Sequence, residues 1–226
     1  MLNKWVLTES KIIYSLRKEN LNNYSKTSVP SRLLLGPGPS NAHPEVLKAL
    51  SLNPIGHLDD AYLELMSDVQ ELLRYVWQCN NRVSLPMSGT GSAAMEASIA
   101  NFIEEEETIL IAKKGYFGDR LVDMATRYKA NVVVIEKEWG EAFSLDEIKF
   151  EIEKNKPSIF AIVHAETSTG VLQPLDGIGE ICRKNNCLFL VDAVTSLGAV
   201  KLLVDDWKID LAYSCSQKGL SCPPGL

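Results

Sequence analysis

The sequence lacks the spacings that mark a metal or disulfide scaffold. Its five cysteines, Cys79, Cys182, Cys187, Cys215 and Cys222, are scattered and odd in number, with no CxxC pair. Such a set reads as reduced thiols in a cytosolic-type compartment. Histidine is sparse as well (His43, His57 and His164), and no Cys/His pair has ligand spacing, so no metal site is expected. No apolar run reaches the length of a membrane span, and there is no internal repeat or low-complexity tract. An excess of positive charge is also missing. With 23 Lys and Arg against 29 Asp and Glu, the net charge of −6 argues against nucleic acid as the main partner. A local site can still take an anionic small molecule.

What is present is an ample apolar fraction, 46% of 226 residues, enough for one large core or two small ones. Residues 1–31 differ from the rest: up to Arg32 the only acids are Glu9 and Glu19. This segment reads as an exposed arm, with an organellar targeting segment as the alternative.

From Leu33 onward helical and strand-like segments alternate. Leu58 to Trp77 places Leu58, Tyr62, Leu65, Val69, Leu72 and Val76 on one helical face, and Tyr62, Leu65 and Met66 read as helix core. A short strand is expected near Arg82–Met87, then a helix opening at Gly91. Strands are expected at Thr108–Ala112, Asn131–Glu136, Ser158–His164, Cys187–Asp192 and Asp210–Ser214. Helices are expected at Asp119–Lys129, from Ser144 to about Asn155, and at Asp176–Asn186. Ser144 with Glu147 forms a capping box, and Pro157 stops the helix that it opens. Apolar strands alternating with helices predict an α/β domain whose central sheet is largely parallel and flanked by helices.

In such a sheet, ligands bind beyond the carboxyl ends of the strands. Three strand ends carry chemistry. Ser88-Gly89-Thr90-Gly91-Ser92 lies between a strand-like and a helical segment, where glycines admit an anion and free amides can hold phosphate. The run Gly89 to Ala94 also fits the G-x-G-x-x-A variant of a dinucleotide fingerprint. That reading demands an acid after the next strand, and Lys113-Lys114 stand there instead. NAD is thus disfavoured, while NADP, not excluded by charge, accounts for none of the later strand ends. Asp192 closes an apolar strand and needs a partner for its carboxylate, either a turn amide or a protonated ring nitrogen. Lys218, in Ser214-Cys215-Ser216-Gln217-Lys218-Gly219, is either a surface lysine or a Schiff-base amine at the ligand edge.

Taken in order, Arg32-Leu-Leu-Leu-Gly-Pro-Gly-Pro-Ser40-Asn41, Ser88-Gly-Thr-Gly91, Gly115-Tyr-Phe-Gly118, Glu166-Thr-Ser-Thr-Gly-Val-Leu-Gln-Pro-Leu-Asp176, Val191-Asp-Ala-Val194 and Ser216-Gln-Lys218 closely resemble the class V aminotransferases. The nearest branch is that of the alanine–glyoxylate and serine–glyoxylate enzymes, and the resemblance runs from about Arg32 to Gly225. It implies the large domain of a fold type I pyridoxal-phosphate enzyme over residues 32–226, working as a homodimer in the cytoplasm or, by the alternative for residues 1–31, in an organelle. Its substrates would be a small amino acid, alanine or serine, and glyoxylate or another 2-oxo acid.

The resemblance also implies roles. Lys218 would hold pyridoxal 5′-phosphate as a Schiff base and shuttle the proton, and Asp192 would pair with the ring nitrogen. Thr90, Gly91 and Ser92 would bind the phosphate, with Gln217 nearby. Phe117, where relatives often carry tryptophan, would stack on one ring face, and Val194 would cover the other. Thr167 would bond near the ring's 3′ oxygen, and Gly36 and Gly38 would frame the substrate carboxylate. His164 and Glu166 are given no catalytic part and read as buried residues satisfied by backbone. Relatives continue into a small C-terminal domain that supplies a carboxylate-binding arginine, so this chain is expected to hold cofactor better than it completes the reaction. Other outcomes on the same fold are a lyase, a desulfurase, for which neither Cys215 nor Cys222 is an obvious nucleophile, and a non-catalytic binding domain.

Overall fold

In the computed structural model, residues 30–226 are described. In chain order they form α1 (Pro44–Ala49), α2 (Asp60–Trp77), α3 (Gly91–Phe102), β1 (Thr108–Lys113), α4 (Tyr116–Arg127), β2 (Asn131–Glu136), α5 (Leu145–Asn155), β3 (Ile159–Val163), β4 (Ala165–Glu166), β5 (Val171–Leu172), α6 (Ile178–Lys184), β6 (Leu188–Asp192) and β7 (Leu211–Tyr213). The chain divides into two units, Met1–Leu33 and Leu34–Leu226, and all of these elements belong to the second. The arm or targeting segment expected at residues 1–31 lies almost wholly outside the described residues.

The strands pair in the order β2-β1-β3-β6-β7, every pair parallel, and β4 with β5 makes a separate antiparallel ladder. Because successive side chains alternate in direction, each strand feeds two cores. Leu110, Phe160, Ile162, Phe189 and Val191 face one side, against Ile148 and Ile152 of α5 and Cys182 of α6. Ile109, Ile111, Ile159, Ala161 and Leu190 face the other, against Met95 and Ile99 of α3 and Leu121 and Ala125 of α4. All five residues of β3 are buried, as befits the middle strand of a covered parallel sheet.

The helix ends follow local chemistry. Ser144 and Glu147 form the reciprocal capping box of α5, and the helix ends on Lys156 in the left-handed conformation, just before Pro157. The helix expected from Asp119 starts earlier, at Tyr116. The amides of Phe117 and Gly118 in its first turn both donate to the Glu166 carboxylate, which supplies the cap that Gly115 cannot. Conversely, α6 is shorter than expected, because Gly177 sits at φ +81° and delays its start to Ile178.

Two expectations are corrected. Residues 82–87 form no strand: Val83, Leu85 and Met87 alternate as a strand would, but they are exposed and the segment has no sheet neighbour to bond. The helix α2 is present, yet its apolar stripe is only partly covered. Tyr62, Met66, Val69 and Val76 are half-buried, while Leu58, Leu65 and Leu72 are exposed, so Leu65 is not helix core.

Candidate active site at the strand ends

The carboxyl ends of β1, β3, β6 and β7 lie side by side, because those strands are consecutive in the sheet. Each contributes a polar group where its last backbone bond is made. The register pairs Val163 with Asp192 and Asp192 with Tyr213.

Asp192 is the centre of this row. It is 3% exposed, its Oδ1 accepts from the Val194 amide (2.9 Å), and its Oδ2 accepts from the Tyr213 hydroxyl (2.7 Å). Burial pushes its carboxyl up to about 6, and Glu166 adds to the push. The Val194 amide, the Tyr213 hydroxyl and Lys114 work against it. Burial likewise raises the Tyr213 phenol well above its ordinary value, so Tyr213 remains a donor to Asp192.

Lys218 follows β7. It is half-buried, and its Nζ donates to the Pro37 carbonyl (2.6 Å). The loop that carries Pro37 is tied down by Ser40, whose amide donates to Gln217 O (2.9 Å) and whose hydroxyl donates to Lys218 O (3.0 Å). Gly38 has φ +103°, and a Cβ there would lie 2.4 Å from Lys218 Cδ, so only glycine lets this turn close over the lysine. Gly36, by contrast, is exposed, and a Cβ on it would meet nothing within 4 Å.

Thr90 and Gly91 open α3. A Cβ on Gly91 would come 3.2 Å from Val194 Cγ2 and 3.5 Å from Cys215 Cβ, so this helix start is pressed against the segments after β6 and β7. Ser92 accepts a hydrogen bond from the Arg120 guanidinium (2.9 Å). Cys215 feels both Lys218 and Asp192, which links the lysine to the carboxylate row, although burial dominates and raises its thiol. Thr167 and Thr195 share a hydrogen bond of 2.5 Å, and Phe117 is half-buried beside Tyr116. Gln217 leaves its buried Oε1 without a partner among the described residues.

Glu166 is fully satisfied, accepting from the amides of Phe117, Gly118 and Ser168 and from the Ser168 hydroxyl. His164 is not satisfied, contrary to expectation. Its Nδ1 is buried with no partner among the described residues, and burial, then Lys114, lower its pKa to about 4. Sequence reasoning also passed over Lys114, Arg120 and Tyr213. Tyr213 was readable only through the register that sets it opposite Asp192.

This donor set suits a flat, phosphorylated heterocycle with a basic ring nitrogen. Asp192 offers a buried carboxylate to a cation, Gln217 offers an orphan acceptor, and the α3 start offers amides beside Arg120. Among the described residues no three His, Cys, Asp or Glu side chains are grouped to hold a metal ion. No helix among them is long and apolar enough to cross a membrane.

The family profile described as aminotransferase class-V matches residues 34–226. The chain is 45% identical over 199 residues to an alanine–glyoxylate aminotransferase of Mus musculus, covering 88% of this chain and 48% of that protein. It is also 45% identical over 197 residues to an (S)-ureidoglycine–glyoxylate transaminase of Bacillus subtilis, covering 87% and 47%. The crystal structure of an alanine–glyoxylate aminotransferase from Nostoc sp. superposes with a TM-score of 0.88 at 60% identity, covering 89% of this chain and 54% of that one. The chain thus spans about half the length of the curated relatives it matches.

Proposed function

Because the chain belongs to the aminotransferase class-V family, we propose that it binds pyridoxal 5′-phosphate at these strand ends and serves transamination between alanine or serine and glyoxylate or another 2-oxo acid. The observation that carries this reading is the buried, hydrogen-bonded Asp192 carboxylate in one site with the half-buried amine of Lys218. Both sequence relatives are named as glyoxylate aminotransferases, which supports glyoxylate as the acceptor.

When bound, the cofactor supplies an electron sink for the substrate's α-carbon. The protein's own groups do the rest. Asp192 holds a negative charge against the ring nitrogen. Thr90, Gly91 and Ser92 present the α3 start to the phosphate, with Arg120 adding positive charge through Ser92. Phe117 and Val194 would enclose the ring's two faces, Thr167 would bond near its 3′ oxygen, and the side-chain NH2 of Gln217 would donate toward the phosphate. Lys218 captures the cofactor and then accepts and returns the α-proton at its Nζ. The turn of Gly36 and Gly38 borders the space for the substrate carboxylate. A homodimer completes the proposal. A desulfurase reading gains nothing from Cys215, since a buried thiol with a raised pKa is a poor nucleophile.

The test is covalent trapping. Borohydride reduction of the chain incubated with pyridoxal phosphate should fix the label on Lys218, located by peptide mapping. Label on another lysine, or none at saturating cofactor, would overturn the assignment.

A further inference from the structure

Lys114 is among the largest fully buried side chains of the described residues, at 1% exposure. A lysine so deep needs a reason, because burying an ammonium is costly unless it is compensated. Its Nζ donates to the Val163 carbonyl (2.6 Å), at the end of β3 and directly in register with Asp192 of β6. The next residue, Gly115, lies against Glu166: a Cβ there would be 2.6 Å from Glu166 Cδ. Four adjacent strand ends therefore carry, in order, Lys114, the Val163 carbonyl with Glu166 beyond it, Asp192 and Tyr213.

We propose that Lys114 is a positioning residue, whose buried ammonium offsets Glu166 and keeps Asp192 ionised for the ring nitrogen of the cofactor. The proposal rests on the function proposed above. The charge count explains the arrangement. Glu166 is fixed in place as the acceptor for the first turn of α4, so it brings a second carboxylate toward Asp192. Without Lys114, the two buried carboxylates would share these strand ends without that cation, and Asp192, whose carboxyl burial already pushes up, would take up a proton more readily. With Lys114 and a protonated ring nitrogen, two positive groups balance two negative ones.

The groups around this cluster are few. Besides Lys114 and Glu166, Asp192 acts on Tyr213 of β7 and on the Cys215 thiol that follows it, itself raised by burial, while Arg120 of α4 acts on Tyr213 and Lys114 acts on His164 after β3. Tyr213 is neutral and His164 is held neutral near pH 7, and Arg120 is engaged by Ser92. Burial lowers the Lys114 amine to about 8 while Glu166 and Asp192 pull it back up, so it remains mostly cationic at neutral pH.

The test reads Asp192 directly, without cofactor. In the full chain carrying ¹³C-carboxyl aspartate, with Asp192→Asn as the assignment control, NMR follows the Asp192 carboxyl against pH. Lys114→Met should raise its midpoint by a few tenths of a pH unit or more, a shift that roughly 0.1-unit NMR titrations resolve. Lys114→Arg should keep it near the wild-type value, and Lys114→Met combined with Glu166→Gln should bring it most of the way back. If Lys114→Met fails to fold, Glu166→Gln alone carries the test: its one carbonyl oxygen can stand at Oε1 and accept from Phe117 and Ser168, while Gly118 loses its acceptor, and the change should lower the Asp192 midpoint. An unmoved midpoint in the folded variant overturns the proposal. Failure of the wild-type chain to take up pyridoxal phosphate would instead defeat the proposed function, and it is read in a separate experiment.

Discussion

Asp192 pushes the stability of the fold and the demands of its chemistry in opposite directions. Its folded pKa, about 6, stands above the ordinary aspartate value, so the folded state binds the proton more tightly than the unfolded chain does. The sign follows: the folded chain loses stability as pH rises from about 4 to 6, and the full cost of the ionised group is present above that window. Asp192→Asn should therefore raise the unfolding free energy of the cofactor-free chain at pH 8 by about 1–3 kcal/mol, a gain that vanishes near pH 4. Urea melts of both chains at the two pH values check this. His164 works with the opposite sign, losing stability as pH falls from its ordinary value toward about 4, so the difference between the chains is the informative quantity. If the chain serves transamination as proposed, the same substitution should cost on the order of 10³-fold, since the ring nitrogen would lose its anion. Asp192 and Lys218 were legible because each ends an apolar strand or follows one at the ligand edge. Lys114 was not, because a lysine pair after a strand looks like surface; Lys113 is indeed paired with Asp119 and Glu136. Only the packing of Glu166 against Gly115 and the reach to Val163 distinguish Lys114 from its neighbour.

Among the elements, β3 and β6 carry the sheet. Phe160 is fully buried and stacks on Phe189 with ring centroids 5.9 Å apart, so the two middle strands are joined by side chains as well as by backbone bonds. Phe160→Ala should cost about 3–5 kcal/mol in chemical denaturation, the range for an aromatic core truncation that leaves a cavity. Such strands were readable from their continuous apolar runs, and α5 was readable from Ser144 and Glu147. The segment 82–87 misled because alternation records side-chain pattern and says nothing of whether a neighbouring strand is present to bond. The start of α4 was hidden because its cap, Glu166, comes from a distant part of the chain.

At the scale of the molecule, apolar surface is unevenly spread. Leu47, Leu50, Leu58, Leu65 and Leu72 are each more than half exposed, all within α1, α2 and their connection. Exposed apolar side chains in such number favour association where they adjoin. In keeping with the proposed homodimer, light scattering on the chain should show concentration-dependent association, and Leu65→Asp with Leu72→Asp should weaken it. An unchanged mass across the concentration range would count against that surface. Periodicity revealed that α2 is amphipathic, but how much of its apolar stripe the chain itself covers depends on tertiary packing, which no local pattern encodes.

The hydrogen bond from Tyr213 to Asp192 joins the edge strand β7 to its neighbour, and Lys218 lies beyond both. A ribosome therefore releases Lys218 only after all five strands that the sheet has among the described residues have been made. The cradle is contributed by segments remote in sequence, from Thr90 to Lys218, and such long-range pairings form slowly. If Lys218 captures pyridoxal phosphate as proposed, acquisition of colour is an end-point signal of maturation: a chain arrested before β7 docks would retain the α3 start yet stay colourless.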